Sequence, residues 1–269
     1  MRESKNFDYN SKAFAIGEIL LFPWYIPSLK LKYALDVIPI NSGRVLEVGC
    51  GGGAIARGIK RYKPNLKVFG CDISTHSLSF ARKNPGGVKF YFGNIYHLPF
   101  KSNFFDVVFC IDVFEHLEDI PKALAEIKRV MKPGGLVHFA LPYEGSFFNL
   151  EGWLTHLGWR AKEIYCGHIH KFALGKPETI IANCNFRLVE RKFSYHLIAQ
   201  IVDIIYFSFI AIRGKNFNFQ IEGFLAEGKG PFKKLVWIAR SIFSVITYLE
   251  SYLLYWFPGL TGHLTFIKE

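Results

Sequence analysis

Cysteine is scarce in this chain, acidic residues are outnumbered, and no apolar run is free of polar interruption. The five cysteines are far apart and none forms a C-x-x-C pair, which argues against a disulfide framework and for a reducing, cytoplasmic setting. Residues 1–8 are polar and hold no apolar core of a secretory signal. Asp and Glu number 22 against 33 Lys and Arg, a formal charge of +11. Such an excess favours an anionic partner: a phosphate-bearing substrate, an anionic membrane surface or a nucleic acid. Nucleic acid is the least favoured, because no separate RNA-binding module is visible and the cations are scattered or lie near apolar segments. Two segments, 195–212 and 235–257, are long enough to cross a membrane. Polar residues recur in both at helical spacing, His196, Gln200 and Asp203 in the first and Arg240, Ser244, Thr247 and Ser251 in the second. Two amphipathic helices are therefore expected rather than two spans.

Apolar material is plentiful. Hydrophobic residues make up 50% of the 269 and phenylalanine alone accounts for 27, enough to build the core of one enlarged domain. The stretch Val45-Leu46-Glu47-Val48-Gly49-Cys50-Gly51-Gly52-Gly53 is an apolar strand that ends in a glycine-dense turn and enters a helix. Without a Cβ at 49, 51, 52 and 53 the backbone turns sharply, and a bulky cofactor can press against main-chain N–H groups at the helix start. The same residues satisfy the loose G-x-G-x-x-G/A dinucleotide pattern, so the turn does not separate NAD from S-adenosylmethionine. A second acidic landmark, Asp72, ends the next strand, Val68-Phe69-Gly70-Cys71-Asp72-Ile73. A carboxylate there can accept both hydroxyls of an adenosine ribose; its bland reading is an N-cap for the helix opened by Ser74 and Thr75.

Three further motifs follow in order. They are Gly93-Asn94-Ile95-Tyr96-His97-Leu98-Pro99-Phe100, then Phe105-Asp106-Val107-Val108-Phe109-Cys110-Ile111-Asp112-Val113-Phe114-Glu115-His116-Leu117, then Leu124-Ala125-Glu126-Ile127-Lys128-Arg129-Val130-Met131-Lys132-Pro133-Gly134-Gly135. With the glycine turn they closely resemble the class I S-adenosylmethionine-dependent methyltransferases, in the type 11 branch of the quinone-biosynthesis enzymes, over about residues 43–142. The resemblance implies that Glu47, Gly49, Cys50, Gly51 and Gly53 pack on the methionine and ribose of the cofactor, and that Asp72 and Ile73 meet ribose and adenine. It puts Asn94 and Ile95 at the adenine, with an amide where relatives carry a carboxylate. Ile111, Asp112 and His116 then run beneath the methionine end.

The expected fold is α/β: a Rossmann-like, doubly wound, seven-stranded sheet, mostly parallel, with an antiparallel last strand and an apolar helical insertion before it. Strands are predicted near 44–48, 66–71, 88–93, 104–110, 135–141, 186–193 and 263–267, and helices at 119–130 and 176–184. One domain covers 1–269, with an N-terminal helical cap at 1–42, a cofactor core at 43–142, a substrate-side insertion at 143–175 and the apolar insertion at 195–260. Both insertions leave the sheet edge where open α/β sheets bind ligands, so they should roof the acceptor.

Methyl transfer to a hydroxyl needs a base, and histidine suits that task near neutral pH. His116, His168 and His170 are the candidates. Cys166, His168 and His170 have the look of half a metal site, but no fourth ligand follows, so no metal is expected. The function expected is methylation, most simply O-methylation, of a small hydrophobic or lipid-linked acceptor by a cytoplasmic enzyme, peripheral to the inner membrane face. The alternatives are a catalytically silent binding module and a protein or nucleic-acid methyltransferase. The exit of the fourth strand, Cys110-Ile111-Asp112-Val113, lacks the Asn/Asp-Pro-Pro-Tyr/Phe signature of many amino-methylating relatives.

Overall fold

The computed structural model describes residues 14–23, 25–213 and 231–269. Residues 1–13, which include the polar start at 1–8, together with Trp24 and residues 214–230 of the apolar insertion, lie outside them.

Seven strands form one sheet: β1 (Gly43–Val48), β2 (Leu66–Asp72), β3 (Lys89–Phe92), β4 (Phe105–Ile111), β5 (Met131–Pro142), β6 (Phe186–Ser194) and β7 (Thr261–Lys268). Their order is β3-β2-β1-β4-β5-β7-β6. β1 to β5 run parallel, and β7 is antiparallel to both β5 and β6. The central strands are apolar on both faces, with Val45, Leu46, Val107, Val108 and Phe109 all buried, because helices cover both sides of a parallel sheet. One layer holds α1 (Pro27–Asp36) and α2 (Ala54–Tyr62), which pack Leu31, Ile55 and Ile59 on Val45, Val68 and Phe109. The opposite layer holds α4 (Ile120–Val130) and α7 (Lys176–Ala182), whose Leu124, Ile127 and Ile181 cover Leu46, Val108 and Phe139. α3 (Thr75–Lys83) follows β2. Burying each of these large side chains contributes roughly 1.5–3 kcal/mol.

Local signals explain the helix ends. Asp119 caps α4 by accepting from the Lys122 N–H, and Pro121 lies in the first turn. The helix stops at Val130 and β5 begins at once, so Pro133-Gly134-Gly135 is an irregularity within the strand, with Gly134 at φ 70°. The expected helical cap at 1–42 is helical, among its described residues, at α1. The described residues at 14–23 are irregular and reach the glycine turn, where the Phe14 carbonyl accepts the Gly52 N–H at 2.7 Å.

The segment after β5 carries α5 (Leu150–His156) and α6 (Ala161–Cys166). The apolar insertion between β6 and β7 carries α8 (Leu197–Arg213) and α9 (Pro231–Leu253), and α8 packs against α5, α6 and α9. No helix among the described residues is long and apolar enough to cross a membrane. The orientation of the two amphipathic helices is the reverse of the usual one. The polar residues point inward: His196, Gln200, Ser244, Thr247 and Ser251 are buried. The apolar residues point outward, with Leu197, Ile201, Ile205, Phe209 and Ile212 exposed along α8 and Ile242, Phe243, Ile246, Leu249 and Leu253 along α9. Small polar residues let α9 approach closely, and the Ser251 hydroxyl accepts the Tyr195 N–H.

Candidate active site

A cavity of about 810 Å³ opens at the carboxyl end of β1, β2 and β4, the edge where open α/β sheets hold ligands. Gly49, Gly51, Asp72, Ile73, Asn94, Ile95, Ile111, Asp112, His116 and His168 all line it. Glu47, Cys50, Gly53 and His170 do not.

The glycine turn is built for close packing. A Cβ at Gly49 would lie 2.3 Å from a methyl of Val113, and one at Gly53 would lie 2.4 Å from the Phe90 ring, both at positive φ. The expectation that its N–H groups face a ligand needs correcting. The Gly49 N–H donates to the Cys71 carbonyl, Gly51 to the Asp72 carboxylate, Gly52 to Phe14 and Gly53 to Cys50. These donors are consumed in holding the turn, and what the glycines offer is the absence of side chains. Glu47 sits behind the turn, where its carboxylate accepts the Ala56 N–H at 2.9 Å. Burial pushes its carboxyl up to about 8 against the opposing effect of that bond. Cys50 is likewise buried, its sulfur beside Gly70.

Asp72 lies half-buried on the cavity wall, accepting from Gly51 N–H and Ser74 N–H at 2.7 Å each. It is not the cap of α3, since Ser74 takes that role by accepting from the Ser77 N–H. Burial raises its carboxyl above the ordinary range, and the backbone donors pull the other way. Asn94 accepts the Tyr96 N–H at 3.0 Å. Asp112 has φ 53°, an uncommon conformation for a residue with a side chain, and forms an ion pair with Lys30 of α1. At that wall the Lys30 ammonium is held above its usual range: burial pulls it down most strongly, and Asp112 together with Tyr195 and Glu115 more than offsets it.

Beyond the turn the cavity ends in a cluster of titratable groups drawn from three segments. The short 3-10 turn Phe114–His116 supplies Glu115 and His116, the residues after β5 supply Glu144, and α6 with its following loop supplies Lys162, Cys166 and His168. His168 donates from Nδ1 to Glu144 at 2.8 Å, and His116 donates from Nδ1 to the Gly167 carbonyl at 3.2 Å. The two rings meet edge to face at 4.9 Å. Burial, then the neighbouring His168, pushes His116 down to about 4. Burial opposes charge on His168 most strongly, but the Glu144 bond together with the charges of Glu144 and Glu115 exceeds it and holds the imidazole above its usual range. Lys162 pairs with Glu151 at 2.7 Å and Asp203 at 3.1 Å and lies 3.7 Å from Glu144. His170, the third expected base, turns away: its Nε2 donates to the Leu117 carbonyl at 2.6 Å and its ring stacks on Phe172. Glu115, Glu144 and Lys162 were missed in the sequence. Glu144 had a usable signal, lying just past the carboxyl end of β5, and Glu115 directly precedes a chosen histidine.

The cavity suits the adenosyl cofactor implied by the motifs. A carboxylate stands at the end of β2, an amide follows β3, and glycines clear the floor between them. Residues 46–139 match the methyltransferase domain family. An uncharacterized methyltransferase of Schizosaccharomyces pombe is 37% identical over 125 residues, 42% of this chain and 45% of that protein. A malonyl-(acyl-carrier protein) O-methyltransferase of Pectobacterium atrosepticum is 31% identical over 117 residues, 43% of this chain and 46% of the relative. The chain thus spans about half the length of these curated relatives. Among solved structures, the phosphoethanolamine N-methyltransferase 2 of Haemonchus contortus, in complex with S-adenosyl-L-methionine, superposes with a TM-score of 0.54 at 20% identity, over 89% of this chain and 52% of that one. Residues 46–139 thus match a methyltransferase domain, and the strand order and glycine turn are similar to those of the class I S-adenosylmethionine-dependent methyltransferases.

Proposed function

We propose that the protein transfers a methyl group from S-adenosylmethionine to an oxygen of a small, largely hydrophobic or lipid-linked acceptor. The observation that carries this reading is the continuity of the cavity, which runs from the glycine turn and Asp72 to the Glu115, His116, His168 and Glu144 cluster. When bound, the cofactor supplies an electrophilic methyl on a sulfonium sulfur. The chain contributes alignment and exclusion of water. Asp72 takes the ribose hydroxyls, Asn94 and Ile95 border the adenine, and Gly49 and Gly51 let the methionine end lie against the backbone. The acceptor's proton goes to the histidine cluster, with His168 first because Glu144 fixes its tautomer and leaves Nε2 as the basic atom. With the acceptor oxygen aligned on it, the cofactor would supply the methyl and retain the C–S electron pair on sulfur. The apolar character of the acceptor follows from the roof, where Tyr206, Phe207, Tyr195 and Leu260 line the cavity.

The outward apolar face of α8 and α9 gives the acceptor a source. The stretch 213–234, from the last residue of α8 into the first turn of α9, includes Arg213, Lys215, Lys229, Lys233 and Lys234 against Glu222 and Glu227. Apolar stripes beside such a run complement an anionic bilayer. Because α8 also walls the cavity, a lipid-linked acceptor would pass from the bilayer along one helix.

Calorimetric titration with S-adenosylhomocysteine, with NAD as control, tests the cofactor. Micromolar binding of the former alone is expected. Absence of binding in folded protein would leave the silent binding module as the better account.

A further inference from the structure

We infer that Glu115, His116 and His168 form a binding site for a divalent transition-metal ion at the acceptor end of the cavity, a reading that rests on the assignment of that end to the acceptor. One ligand atom from each of the three lies within 4.8 Å of the others. Two imidazoles and a carboxylate are a common catalytic ligand set, and bonds of about 2.0–2.2 Å are reached from this spacing by ordinary side-chain adjustment.

Three independent features support the site. Both rings are oriented from behind, His168 by the Glu144 carboxylate and His116 by the Gly167 carbonyl. With the proton on Nδ1, the lone pair of each ring is on Nε2; metal-binding histidines are held in this way. The carboxylate of Glu115 is buried and its Oε2 has no hydrogen-bond partner. The nearby carboxylates are served by cations, Asp112 by Lys30 and Glu144, Glu151 and Asp203 by Lys162. Among the described residues Glu115 forms no ion pair with a lysine or arginine, and its buried Oε2 is left open to a cation. Finally, the segments that carry the ligands are fastened to each other, since the Glu115 carbonyl accepts the N–H groups of Ile169 and His170. The set is thereby preorganised before any ion arrives.

All three residues line the cavity, so the remaining coordination positions face the acceptor. This differs from the Cys166, His168 and His170 grouping suggested by sequence spacing, because His170 is tied to Leu117. An ion here would acidify an acceptor hydroxyl on its open face, so that its proton passes to bulk water as the hydroxyl binds, and His168 would then hold the ion in place of taking that proton itself.

The test uses the 269-residue chain, stripped by chelator and titrated with Zn²⁺ by calorimetry and with Co²⁺ by visible absorption, Mg²⁺ serving as the oxygen-preferring control. One equivalent of Zn²⁺ is expected, at least about 30-fold weaker in Glu115→Gln and in His168→Gln, given that even outer-shell changes cost 10–100-fold. His76→Gln, an exposed change elsewhere, should leave it unaltered. A weak, octahedral Co²⁺ spectrum, or zinc affinity indifferent to both substitutions, would overturn the site. If a variant misfolds, as judged by melting, the wild-type Co²⁺ spectrum decides alone: intense bands of a four- or five-coordinate ion support the site. Zinc retained in a protein with no affinity for S-adenosylhomocysteine would support the site and remove the functional reading instead.

Discussion

Asp72 carries two tasks at once, since the carboxylate assigned to the ribose also receives the Gly51 and Ser74 N–H groups. Asp72→Ala is therefore expected to weaken S-adenosylhomocysteine binding by more than about 1.5 kcal/mol, through lost charge-assisted hydrogen bonds and a loosened turn. Asp72→Asn, which keeps an acceptor for the backbone, separates the two effects. Near wild-type affinity in both, measured by calorimetry, would remove the ribose assignment. Gly49 is constrained differently. Its Cβ would overlap Val113 and its φ is 73°, so Gly49→Ala should lower both the melting temperature and cofactor affinity, and an unchanged protein would contradict the tight turn.

At the scale of elements, α6 is bound to α5 and α8 through Lys162, whose ammonium meets Glu151 and Asp203. Lys162→Met leaves those carboxylates without their cation and should destabilise by about 3–5 kcal/mol in urea denaturation. A loss below about 1 kcal/mol would mean that the carboxylates are satisfied by other groups. On the outer face, Ile205→Asp and Ile212→Asp place charge on the apolar stripe of α8, where those side chains are 64% and 83% exposed. Binding to vesicles rich in anionic lipid should fall at least tenfold while S-adenosylhomocysteine affinity holds. If wild-type protein ignores vesicles but self-associates in sedimentation, a second copy covers that face instead.

For the molecule as a whole, the junction of β5 with β7 holds two buried histidines, His138 and His263, stacked 5.7 Å apart. Burial, then the charge of Lys192, pushes His138 down to about 3, and burial together with its neighbours also lowers His263. The unfolded chain takes up these protons near its ordinary value of about 6.5, well before the native state does. Their contribution to stability is therefore complete above pH 6.5 and declines as the pH falls toward about 3. Glu47 acts with the opposite sign: its buried neutral form favours the native state at low pH, and that advantage fades as the pH rises from about 4.5 to about 8. Melting temperature should drop from pH 7.5 to pH 5 in the wild type and drop less in His138→Gln. Equal slopes would show that His138 is solvated or paired on protonation.

The parallel core was legible in the sequence because its signals are local. Apolar runs bounded by glycine and proline mark β1, β2, β4 and β5, the period of Leu124 and Ile127 marks α4, and the glycine turn with Asp72 marks the cofactor end. The histidine and carboxylate end of the cavity was legible in part. His116 and His168 were named, but Glu115, Glu144 and Lys162 are far apart along the chain and come together because β4, β5 and α6 end at the same edge of the sheet. His170 was misjudged because a two-residue spacing does not say which histidine a loop turns inward. The polar stripes of α8 and α9 were read correctly as stripes, yet which side faces the protein depends on what the sheet offers for packing. Here small polar residues meet close-packed backbone, and the apolar side is left outside. Sequence by itself determined the elements, the strand-to-helix alternation and the chemistry of the glycine turn, since each depends on a few consecutive side chains. Tertiary structure decided the histidine and carboxylate cluster and the direction of the apolar faces, because both depend on contacts between segments whose separation along the chain carries no information about their distance in space.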